Sequence, residues 1–177
     1  MKISRLLIIL ILLSAFTIQC SKDPKAKIQG LEKKMSEEDF TLDEKGIQTA
    51  NELVQAYLSF AGSQKENPEA PGYLYKAADL SLNINQAKQS LDLYNRIIYQ
   101  YPDYDKVPEC LFLMGYIYEN YFQELGRAKD IYESFLAKYP NHEFADDARI
   151  SIENLGKSPE ELIRQFEEKN KVLQDTV

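Results

Sequence analysis

Apolar residues along this chain recur at helical steps and are cut off at regular places. The stretch "NRIIYQYPDYDK" (residues 95–106) runs apolar side chains at helical spacing and then stops at Pro102. Nearly the same phrase, "ESFLAKYPNHEF" (residues 133–144), stops at Pro140. Proline lacks an N–H and clashes with the preceding turn, costing a helix interior about 3 kcal/mol, so each Tyr-Pro pair marks a helix end. A further helix is predicted over "LDEKGIQTANELVQAYLSFAGS" (residues 42–63), with Pro68 beyond it.

Pro68, Pro102 and Pro140 serve as a ruler, with gaps of 34 and 38 residues. Twelve residues before each stands a small residue: Ala56, Ser90 and Ala128. Eight before each stands an aromatic: Phe60, Tyr94 and Tyr132. Further back, Ala78 lies 24 before Pro102 and Gly115 lies 25 before Pro140, with Leu74 and Leu111 four residues ahead of them. On this ruler the second unit has four extra residues, three assigned to the link "DYDKVPE" and one to the turn near "NYFQELG". Small residues let antiparallel helices approach, while aromatics and large aliphatics fill the space between pairs.

This arrangement resembles the tetratricopeptide repeat, a helix-turn-helix unit with an aromatic-x2-Leu-Gly-x2-Tyr, Ala-x3-Phe, Pro signature. The better match is "CLFLMGYIYENYFQELGRAKDIYESFLAKYP"; the earlier unit has Ala78 and Ser81 for the Gly and Tyr, and both have Leu where the family favours Trp. The resemblance covers residues 50–155 and implies an all-α fold of antiparallel helix-hairpin repeats, a right-handed solenoid of about 2.5 units. "EFADDARISIENLG" supplies another helix, ended by Gly156. After it, Ser158, Pro159 and Glu161 form a capping-box start for "SPEELIRQFEEKNKVL", whose stripe of Leu162, Ile163 and Phe166 predicts a C-terminal capping helix. In this family the first helix of each unit lines a concave side where extended peptides dock. Carried over, the groove residues are Tyr75, Asp79, Phe112, Tyr116, Glu119 and Asp146. Such a groove is aromatic and acidic, which implies a partner segment carrying Lys or Arg.

The first residues follow another pattern. Lys2 and Arg5 precede a run from Leu6 to Ile18 that is apolar apart from Ser14 and Thr17. A spanning helix needs about 20 residues, so this shorter run behind a basic start reads as a signal peptide over residues 1–19. A short uncleaved anchor helix is the alternative. Cys20, directly behind the run, resembles the acylated Cys of the bacterial lipoprotein box, although Thr17 and Gln19 replace that family's Leu and small residue. The resemblance implies lipidation at Cys20, with an ordinary secretory signal as second reading. Residues 20–41 are then a lipid-anchored linker, partly helical through Ile28, Leu31 and Met35, with Gly30 weakening that helix by about 1 kcal/mol. Residues 42–177 form the helical domain.

Composition narrows the function. The 177 residues suit one domain. They carry 21 basic and 28 acidic residues, a net charge of −7. Such a surface disfavours nucleic acid and anionic headgroups, so membrane attachment rests on Cys20. Beyond Cys20 only Cys110 remains, which excludes an intramolecular disulfide in the acylated chain and reads as a small buried hydrophobe. The sole His, His142, lies four residues before Asp146, a spacing open to a metal but also to a helix start favoured by acids. "LGKS" (155–158) lacks the Gly of a phosphate loop, and no nucleophile-His-acid set stands out. The expectation is therefore no catalytic residue, no metal and no cofactor.

The "YP" stops followed by an "EFADDA"-like helix are similar to two envelope families: the Tol-Pal-associated coordinator of cell division and the lipoprotein subunit of the β-barrel assembly machine. That resemblance implies a non-enzymatic, lipid-anchored adaptor binding envelope proteins, on the outer membrane facing the periplasm, in outer-membrane protein assembly or cell division. The alternative is an envelope lipoprotein that binds a small ligand or glycan.

Overall fold

The computed structural model describes residues 23–37 and 39–175. The predicted signal peptide, residues 1–19, and Cys20 lie outside the described residues. Among the described residues the chain forms eight α-helices and no strand. They are α1 (Pro24–Met35), α2 (Glu44–Ser63), α3 (Ala70–Asn83), α4 (Ala87–Gln100), α5 (Val107–Asn120), α6 (Leu125–Lys138), α7 (Ala145–Asn154) and α8 (Pro159–Asp175). From α1 to α7 each helix packs on the next, giving the expected all-α helical-repeat solenoid.

Three of the links are built alike. α2, α4 and α6 end at Gln64, Tyr101 and Tyr139, with φ −132°, ψ 54°, φ −135°, ψ 59° and φ −132°, ψ 56° in turn. Each donates its N–H to the carbonyl four residues back, on Phe60, Ile97 and Phe135. Each carbonyl accepts from the residue three further on: Asn67, Tyr104 and His142. Those residues in turn accept from the first residue of the next helix, Ala70, Val107 and Ala145.

This common register corrects the proline ruler. Tyr101-Pro102 and Tyr139-Pro140 are equivalent, but the position matching Pro102 after α2 is Lys65, and Pro68 sits three residues later. The aromatic matching Tyr94 and Tyr132 is therefore Tyr57 rather than Phe60, and Leu53 rather than Ala56 stands where Ser90 and Ala128 do. Nor is "DYDKVPE" a longer link, because Val107 and Pro108 open α5 as Ala70 and Pro71 open α3. Proline is tolerated wherever no N–H is required, in first turns and loops alike, so it does not mark a single register. One extra residue does fall in the turn between α5 and α6, four residues (121–124) against three (84–86).

The stretch expected as a linker contributes a helix that joins the array. The Asp23 carboxylate accepts from the Lys25 N–H at 3.0 Å, Pro24 opens α1, and Lys33 and Lys34 complement the dipole in its last turn. Ile28 is 1% exposed, and Leu31 and Met35 pack against the same core. Just beyond, Gly46 admits the Thr41 carbonyl: a Cβ there would fall 1.8 Å from its oxygen, so only glycine fits the α1–α2 turn. One core runs from Ile28 through Tyr57, Leu74 and Tyr94 to Ile117; a second gathers Ala128, Tyr132, Phe135 and Ala148 with Phe112 and Phe144.

At the far end α8 starts as expected, with Ser158 N–H donating to Glu161 Oε2 (2.8 Å) and Glu161 N–H to Ser158 Oγ (3.2 Å). Its stripe is not laid on α7. Leu162, Ile163 and Phe166 are 37%, 59% and 67% exposed. Ile152 and Leu155 already close the second core, and the chain then turns through Gly156 at φ 76°, a conformation glycine adopts freely.

Candidate functional site

The first helices of successive hairpins, α3, α5 and α7, carry the residues expected to line a groove. Asp79 stands exposed on α3 and has no hydrogen-bond or ion-pair partner among the described residues; partial desolvation raises its carboxyl above the ordinary value. Tyr116 on α5 is 40% exposed, its ring edge-on to Tyr121 at 6.3 Å. Asp146 on α7 is exposed and paired with Arg149 at 2.7 Å.

The other three serve the framework as well. The Tyr75 hydroxyl donates to Glu109 Oε2 at 2.9 Å, and Lys106 Nζ lies 5.0 Å from its ring centre while also bonding Glu109. Phe112 stacks on Phe144 at 4.9 Å and packs on Tyr132 and Phe135, tying α5 to α6 and to the start of α7. Glu119 accepts from the Tyr132 hydroxyl at 2.8 Å. Burial pushes the phenols of Tyr75 and Tyr132 up, and the carboxylates beside them add to this, so both remain hydrogen-bond donors at neutral pH.

Sequence reasoning missed the contribution of α1. A recess of about 320 Å³ lies where α1, α2 and α3 meet, lined among others by Glu32, Met35, Tyr57, Lys76 and Asp79. Glu32 Oε1 accepts from Lys76 Nζ and from the Tyr57 hydroxyl, both at 2.8 Å. Lys76 Nζ also lies 5.7 Å and 5.6 Å from the Tyr57 and Tyr73 ring centres. The helical spacing of Ile28, Leu31 and Met35 was the available signal; it gave no indication of the surface they meet.

The same logic recurs at the equivalent tyrosines. Tyr57 donates to Glu32 on the first helix of its hairpin, and Tyr132 to Glu119 on the first helix of its own. In the hairpin between, Leu82 occupies the position of Glu119, and among the described residues the buried Tyr94 hydroxyl has no carboxylate partner, with only the Ser90 hydroxyl beside it.

Cys110 and His142 both serve the packing. Burial pushes the Cys110 thiol up to about 12, far from the thiolate that nucleophilic attack requires. His142 is part of the packing: Nδ1 accepts the Phe144 N–H at 3.3 Å, and the ring meets Phe135 edge-on at 5.6 Å. Among the described residues no three His, Cys, Asp or Glu side chains gather as a metal site, and no helix is long and apolar enough to cross a membrane.

The geometry defines a class, the helical-hairpin scaffold whose exposed first helices present a surface for other molecules. Residues 73–104 and 109–142 match the tetratricopeptide repeat, one match on the α3–α4 hairpin and one on α5–α6. No curated protein matches the chain. Repeats of this kind are interaction scaffolds that take protein partners.

Proposed function

We propose that this chain is a lipid-anchored, non-enzymatic adaptor of the bacterial cell envelope, held by acyl chains on Cys20 at the outer membrane and facing the periplasm. There it binds envelope proteins in outer-membrane protein assembly or cell division. Support for the anchor comes from the basic start, the apolar run from Leu6 to Ile18 and the Cys directly behind it. The observation that carries the binding role is the pairing of an unpartnered carboxylate, Asp79, with an exposed aromatic, Tyr116, on neighbouring first helices. An extended segment with a Lys or Arg beside an apolar residue complements that surface.

The test is photo-cross-linking from position 116 in native membranes, with identification of the captured chain. An envelope protein joined through a basic segment is expected, with capture reduced by Asp79→Lys. Capture of no envelope protein overturns the adaptor reading. Cys20→Ser is expected to release the chain from the membrane fraction; retention there would refute the lipid anchor. Asp79 is a better probe than Glu119, whose carboxylate also holds Tyr132.

A further inference from the structure

The two ends of the array differ in charge and shape. At the C-terminal end Ile150 is 55% exposed on α7, and Ile163 and Phe166 are 59% and 67% exposed on α8. Asp146, Asp147 and Glu153 lie three or four residues from Ile150, so they share its face of α7. Glu160, Ile163 and Glu167 follow one another along one ridge of α8 in the same way. Together α7 and α8 hold eight acidic residues against four basic ones.

The N-terminal end is the complement. α1 holds four lysines against a single glutamate, Glu32, which faces the recess toward α3. Opposite the buried Ile28 the helix shows Ala26 and Gly30, with Lys27, Lys33 and Lys34 around them, all exposed. A Cβ added to Gly30 would meet nothing within 4 Å. This is a low, basic face onto which large apolar side chains can settle.

Inside the array, the first helix of each hairpin packs on the hairpin before it, α3 on α2 and α5 on α4. α1 is itself a first helix with no hairpin before it among the described residues, and α8, the last described helix, leaves its apolar stripe exposed. We propose that α8 of one copy receives α1 of a second copy, joining copies head to tail. Ile163 and Phe166 then lie on the Ala26–Gly30 face, and Lys27 and Lys33 meet the acidic ridge of Glu160 and Glu167. A two-fold contact between C-terminal ends is disfavoured because it sets acid against acid. Head-to-tail contacts leave a free end on each copy unless the rotation between copies closes a ring, so the product is a short chain or a small ring of copies. A few exposed apolar side chains cover less than the roughly 1,200 Å² of a stable interface, so the association is weak and weakens further with salt.

The test uses the purified full chain in detergent, with a benzoyl-phenylalanine at position 166 in one tagged population and a second population under a different tag. The expected product joins position 166 to residues 24–35 of the other copy. Lys27→Glu with Lys33→Glu in the second population is expected to lower the yield about tenfold, a plausible loss for two exposed pairs turned from attraction to repulsion. Glu160→Lys with Glu167→Lys in the first population is expected to restore it, which a misfolded variant cannot do. Cross-links only within one copy, cross-links to α8 of another copy, no cross-link, or a yield indifferent to these charges would each overturn the proposal.

Discussion

Gly115 offers the sharpest test of how the hairpins close. A Cβ built on it would lie 2.6 Å and 2.8 Å from Tyr132 Cε1 and Cδ1, closer than carbon atoms can approach without movement. The ring has little room to retreat. It is fully buried, its hydroxyl is held by Glu119 at 2.8 Å, and Phe112 packs on it at 5.5 Å between ring centres. Overpacking of this kind costs about 1–3 kcal/mol, while replacing glycine by alanine inside a helix returns up to about 1 kcal/mol. The clash wins, and Gly115→Ala is expected to destabilise the chain by about 1–2 kcal/mol, lowering the thermal midpoint by roughly 2–4 °C per kcal/mol at this size. Urea and thermal unfolding followed by far-UV circular dichroism measure it. In a Tyr132→Leu background the ring is gone, and the same Gly115→Ala change is expected to become neutral or stabilising. A variant as stable as the parent, or an equal loss in both backgrounds, would refute the packing argument.

Other expectations follow from the same contacts. Tyr132→Phe is expected to cost about 1 kcal/mol in unfolding experiments because Glu119 loses its donor, whereas Tyr94→Phe, removing a hydroxyl without a carboxylate partner, is expected to change stability by under about 0.5 kcal/mol. Burial alone would raise the Glu32 carboxyl, but hydrogen bonds from Lys76 and Tyr57 outweigh it and leave the pKa below its ordinary 4.5. A depressed folded-state pKa contributes stability that is present above 4.5 and lost as pH falls through the folded value, so Glu32→Gln is expected to lower stability at pH 7 and flatten the acid limb of the stability curve. Cys110 is expected to react with a thiol reagent only on unfolding, since its thiol is buried and pushed up to about 12; labelling of the native chain at the unfolded rate would contradict this. Ile28→Ala is expected to speed amide exchange across residues 24–35 while α5 and α6 stay protected, because that side chain anchors α1.

The helices and their repetition were legible in the sequence because they rest on local rules. The Tyr-Pro stops, the Ser158–Glu161 capping box and the Gly156 turn each act within a few residues, and all appear where they were expected. The register of the earliest unit was not legible. Pro68 obeys the same local chemistry as Pro102 yet sits three residues out of phase, and only the matched hydrogen bonds of the links show that Tyr57, not Phe60, belongs with Tyr94 and Tyr132. In the candidate site, Asp79 and Tyr116 are exposed on first helices, while Tyr75, Phe112 and Glu119 also hold neighbouring helices together, a distinction that depends on partners far away in sequence.

By itself, then, the sequence determined an all-α hairpin array with its stops, its caps and its acidic balance, since helix period, proline chemistry and charge are properties of short stretches. The tertiary structure decided what those stretches meet. It placed α1 in the core through Ile28 and Glu32, left the α8 stripe in solvent, and gave Tyr57 and Tyr132 carboxylate partners while leaving Tyr94 without one. Those outcomes depend on which surfaces come together across tens of residues, and no short stretch carries that information.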